Sequence, residues 1–159
     1  MSLDVFDYLD QIGQQRYRAL IFHTSHEKSA MLSLFSKKIC EKTSGRYLDL
    51  LACFINNPNY SDELSSFKPE KLREFLIEHS RGTHLLNIDR ADFLLDTWRK
   101  KDKDAFFRFL NNQWDGFKDA MKAKLIINLQ TSSEIEALSI LDSQGNSRIR
   151  ELSDFSDIM

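Results

Sequence analysis

Four short apolar runs punctuate the chain: "ALIFH" at 19–23, "YLDLLACFI" at 47–55, "THLLNID" at 83–89 and "LIINLQ" at 125–130. Such runs, without period-two alternation, predict strands covered on both faces. The segments between them carry helical spacing instead. Residues 3–14 place Val5, Leu9 and Ile12 on one face, with Phe6 beside them and Gly13 at the end. Ser25 can cap a helix over about 26–43 whose stripe is Met31, Leu32, Phe35 and Ile39, closed at Gly45. Pro69 opens "PEKLREFLIEHSRG", with Leu72, Phe75, Leu76 and His79 in register. After a short helix in "ADFLLDTW" and a charged loop "RKKDKD" comes a long helix over about 104–121. It bears Phe106, Phe107, Leu110, Trp114 and Phe117. "SSEIEALSIL" reads as a short helix, "DSQGNS" as a turn and "RIREL", 148–152, as a weaker fifth edge strand. Strict alternation of strand and helix implies parallel strands joined by helical crossovers. The expected fold is therefore α/β, a three-layer parallel sheet of four to five strands flanked by helices. It forms one domain over 1–159, with an N-terminal helix at 3–14 and a core at 17–152.

Composition narrows the functional classes. A chain of 159 residues, 42% hydrophobic and 29% charged, is long enough to bury a real core. The formal charge of −2, with both signs interleaved, gives no overall pull toward polyanions. Cys40 and Cys53 lie outside any CxxC pair and read as reduced, small apolar side chains. The N-terminus is acidic where a secretion signal is basic, and no apolar run approaches the ~20 residues that span a bilayer. A cytoplasmic protein with no membrane partner is expected.

In such folds ligands collect at the carboxyl ends of the strands. The first strand leads into "FHTSHEKS", which aligns with the phosphate-loop pattern G-x-x-x-x-G-K-[ST] on Lys28 and Ser29. Phe22 and Glu27 stand where the two glycines belong. That loop needs glycines so that the backbone can wrap phosphates with its N–H groups turned inward. Glu27 adds a like charge worth about 1 kcal/mol or more against an anion at an effective dielectric near 20. The third strand ends in Asp89, a candidate magnesium ligand, followed by Arg90, which cannot be a base; Asp92 lies two positions on. The fourth ends in "INLQTS", where Asn128, Gln130 or Thr131 can occupy a polar sensing position. His23, His26 and Glu27 crowd within five residues of one strand end, too close for a tetrahedral zinc site.

This succession, a strand, a Lys-Ser helix, a strand ending in Asp and a strand ending in polar residues, resembles the RecA/AAA-type P-loop NTPase core without a lid domain. Within that group "YLDLL", "LLNIDRADFLLD" and "FFRFLNNQWDGF" are similar to the small BrxF-type P-loop proteins of bacterial anti-phage BREX systems, over about 17–152. The resemblance implies nucleotide binding and a place in a multiprotein defence complex. The changed loop glycines and the missing acid after Asp89 point instead to a degenerate, non-catalytic scaffold or regulatory subunit. On that reading no cofactor or metal is expected, and Lys28, Ser29, Asp89, Asp92 and Asn128 are a vestigial nucleotide site. The alternatives are an ATP-binding or weakly hydrolysing enzyme using those residues with Mg2+, and a nucleic-acid-binding module. The latter would use Arg99, Lys100, Lys101 and Lys103 with Arg148 and Arg150. Phe106, Phe107 and Phe109 cannot share one helix face, and that excess points to a protein partner.

Overall fold

The computed structural model describes residues 2–156, so residue 1 and residues 157–159 of the expected domain lie outside the described residues. Five strands, β1 (Ala19–Thr24), β2 (Arg46–Asp49), β3 (Leu85–Asp89), β4 (Lys124–Gln130) and β5 (Ile149–Glu151), form one all-parallel sheet in the order β2-β3-β4-β1-β5. Helices cover both faces, giving a three-layer α/β architecture. No helix among the described residues is long and apolar enough to cross a membrane.

Alternation along the strands sorts the core into two layers. Leu20 and Phe22 of β1, Leu85 of β3 and Ile126 of β4 face α1 (Val5–Ile12) and α2 (Ser29–Thr43), with Leu152 and Phe155 closing that side. The intervening residues, among them Ile21, Leu86, Ile88, Leu125 and Ile127, pack on the opposite helices. Those are α3 (Leu50–Asn56), α4 (Pro58–Ser61), α5 (Pro69–Ser80), α6 (Asp92–Leu95), α7 (Lys100–Asn112) and α8 (Ser133–Ala137).

Several elements depart from the expected ones. The run 47–55 is not one strand: β2 stops at Asp49, whose carboxylate accepts from the Ala52 N–H at 3.1 Å and caps α3. Leu50 and Phe54, four apart, then supply the buried face, while Ile55 is 69% exposed. The "RKKDKD" loop is instead the start of α7, where the Asp102 carboxylate accepts from the Arg99 N–H at 3.4 Å and a Lys100–Asp104 pair follows one turn on. That helix ends at Asn112, short of Trp114, and Phe117 is exposed. Met31 also faces outward. The left-handed residue closing α2 is Ser44, not Gly45.

Phe106, Phe107 and Phe109 are all buried, because α7 is covered on several sides. Phe109 packs on Trp114 and lies under the Arg73 guanidinium at 5.6 Å. The aromatic excess of α7 is thus absorbed inside the molecule and supplies no partner surface.

Candidate functional site

The turn after β1 is tight. Ser25 is followed by a single 3-10 turn, His26–Lys28, and α2 begins at Ser29. Phe22, aligned with the first loop glycine, lies inside β1 rather than in the loop. Its ring packs on Tyr8 and Phe155, with centroids 6.4 and 5.0 Å away. It therefore obstructs no phosphate; strand pairing has taken the residues that a wrapping loop would use. Ser25 makes no side-chain capping bond, and Lys28 itself stands at the N-cap of α2, exposed. The Ser29 hydroxyl donates back to the His26 carbonyl at 2.8 Å. Glu27 is exposed as well.

The ends of β3 and β4 hold a buried polar network facing α2. Asp89 is 3% exposed. Its Oδ1 accepts from the Arg90 N–H at 3.0 Å and from Asn128 Nδ2 at 3.1 Å, and its Oδ2 accepts the Tyr47 phenol. Three of its roughly four lone-pair positions are thereby engaged. Asn128 also donates to Ser36 Oγ at 2.7 Å, and the Asn87 and Asn128 amides meet at 3.4 Å. Burial, together with the bond to Asp89, pushes the Tyr47 phenol well above its usual value. Arg90 has a φ of 54°, in the left-handed region, and its guanidinium turns away from Asp89 to Asp49, with Nε 2.9 Å from the carboxylate. Burial opposes ionisation of Asp49, but Arg90 and the Ala52 N–H outweigh it and hold the carboxyl below its usual value.

These ends frame a cleft of about 370 Å³. Ser29, Asp89, Asp92 and Asn128 all line it; Lys28 does not. Leu32, Leu51, Phe93 and Leu129 form apolar walls, and Asp96 and Arg90 add charge. Asp92 Oδ1 accepts from the Gln130 N–H at 2.9 Å, and burial pushes its carboxyl above its usual value. The cleft lies where the connections from β1 and β4 leave for opposite faces of the sheet, the place where open α/β sheets bind ligands. Sequence reasoning missed Tyr47, Ser36, Asn87 and Asp96. Asn87 alone carried a signal, a polar residue inside an otherwise apolar strand.

The histidines near the β1 end form no metal site. His23 Nδ1 lies 2.7 Å from Thr131 Oγ1, His26 Nδ1 lies 3.1 Å from Gln130 Nε2, and the described residues hold no cluster of three or more His, Cys, Asp or Glu suited to a metal. Arg148, proposed for phosphate contact, is 1% exposed at the other end of the sheet and cannot reach a polyanion. Its guanidinium donates to the carbonyls of Leu141, Ala19, Leu110 and Asn111, and to the Asn111 side chain. Lys100 and Lys103 are engaged with Asp104 and Glu134.

Compared with protein-family models, with curated proteins and with solved structures, the chain gives no match.

Proposed function

We propose that this chain is a P-loop-like protein whose nucleotide machinery is knitted into internal hydrogen bonds. It serves as a non-catalytic scaffold or regulatory subunit of a multiprotein complex. The resemblance to BrxF-type proteins makes a bacterial anti-phage assembly the setting we put forward. What carries the reading is the turn between β1 and α2. One 3-10 turn separates strand from helix, so no run of inward N–H groups surrounds a phosphate, and Lys28 stands outside the cleft. The engagement of Asp89 by Tyr47, Asn128 and the Arg90 backbone supports it, because a magnesium-bound water would need those lone pairs.

A second reading, ATP binding or weak hydrolysis through Lys28, Ser29, Asp89, Asp92 and Asn128, draws on the position of the cleft at the strand ends. Thermal unfolding with and without ATP and Mg2+ separates the two. The scaffold reading expects superimposable curves. A rise of several degrees that disappears in Lys28→Ala, or turnover that vanishes in Asp89→Asn, would establish the second reading in its place.

A further inference from the structure

The cleft has a composition opposite to that of a phosphate site. Three carboxylates, Asp89, Asp92 and Asp96, line it, and its one guanidinium, Arg90, is already paired with Asp49. Asp92 and Asp96 have no ion-pair partner among the described residues. They stand four positions apart across α6, a spacing at which like charges repel. Lys103 of α7 lines the adjoining depression beside both, but its ammonium is held by Glu134 at 3.1 Å. His26, at the β1–α2 turn, completes the titratable groups of the cleft. Leu32, Leu51, Phe93 and Leu129 add an apolar lining from four separate elements. A ligand that satisfies this surface has an aliphatic stem and a cationic head.

We propose that the cleft is a socket for an arginine side chain of a protein partner, with the stem against Leu51 and Phe93 and the guanidinium toward Asp92 and Asp96. This rests on the scaffold reading and specifies how the scaffold holds its partner. At about 370 Å³ the space is near the lower end for ligand pockets, roughly 300–1,000 Å³, and suits one long side chain. A triphosphate would face three carboxylates there. Guanidinium is favoured over ammonium because it is planar, more weakly hydrated and able to bridge two carboxylates through its fork of donors.

The test is a titration of the whole chain, followed by its amide NMR spectrum, with acetyl-Gly-Arg-Gly-amide, with the same peptide carrying citrulline, and with ATP and Mg2+. The arginine peptide is expected to move the amides of Leu51, Phe93, Asp96 and Gln130. The citrulline peptide, of nearly the same shape without the charge, binds at least tenfold more weakly. Asp96→Asn, at an exposed position, weakens the arginine response, and Asp92→Asn/Asp96→Asn removes it while the remaining spectrum keeps its dispersion. No response to the arginine peptide, equal responses to the two peptides, or a response that survives in the double variant overturns the socket. A response to ATP overturns the scaffold reading on its own arm, whatever the peptides do.

Discussion

The two ends of the sheet each bury polar groups, and they solve the problem differently. At the amino end, Arg148 carries a charge with no ion-pair partner among the described residues; Asp142 acts on it only from a distance. Its five donor bonds go to backbone carbonyls and one amide, two of them at the last turn of α7, where the helix dipole is negative. Burial pushes the guanidinium below its usual value. At the carboxyl end, Asp89 is also well supplied with partners, but its network is one wall of a cleft and Asp92 and Asp96 extend that wall without cations. A closed centre anchors elements to one another. An open one leaves charge for something outside the chain.

Arg148→Met makes the sharpest test of this contrast. Methionine fills similar space but strands the carbonyls that the guanidinium served, so the expected cost is about 3 kcal/mol or more. For a chain of this size that lowers the melting temperature by roughly 6–12 °C. An unchanged urea midpoint would mean that the amino end is not an anchor. Asn128→Ala should cost less, about 2 kcal/mol, since Asp89 keeps Tyr47 and the Arg90 N–H while Ser36 loses its donor. The comparison predicts this order, and denaturation of both variants in one buffer measures it.

Asp92→Asn should act in the opposite direction. Burial raises the Asp92 carboxyl in the folded chain, so the native state holds the proton more tightly than the unfolded one. The ionised group therefore costs stability at neutral pH. Asparagine keeps the acceptor for the Gln130 N–H and removes the charge. The variant should melt higher than the parent at pH 7, and the gap should close as pH falls toward the ordinary aspartate value of 3.8. The charges around Asp92 are Asp89 and Asp96 nearby, Arg90 held by Asp49, Lys103 held by Glu134, and His26 across the cleft. A His26→Gln background removes the imidazole that lines the cleft, so Asp92→Asn compared within that background isolates the Asp92 effect. Smallest of all is Lys28→Ala, expected within about 0.5 kcal/mol of the parent because the side chain is exposed.

The layered architecture was legible because "ALIFH", "LLNID" and "LIINLQ" are apolar on both faces, and only strands with helices above and below need that. The second strand was misread because an apolar run does not reveal where its period changes. Asp49, a cap that interrupts "YLDLLACFI", was the available signal. At the site, proximity in sequence misled: Lys28 adjoins Ser29, yet only Ser29 reaches the cleft. Asp89 and Asn128 were brought together by strand register, with Asn128 one step beyond the Ile88–Ile127 pair, and Asp92 of α6 joins them through the Gln130 N–H. Tyr47 and Ser36 entered the network from an edge strand and a helix, and no local pattern announces such a meeting.

The sheet order also imposes a schedule on the chain. β1 is made first, but its neighbours are β4 and β5, with Ala19 matched to Leu125 and Ile21 to Ile149. β2 and β3, by contrast, pair with each other once α5 is made. Pairings between distant parts of a chain form slowly, because loop closure must precede the gain from contact. During synthesis, the two edges of this buried strand therefore stay bare until β4 and then β5 have emerged. A chain arrested before β4 would expose "ALIFH" as a sticky edge, which makes early termination more hazardous here than in a protein whose first strand pairs with its second.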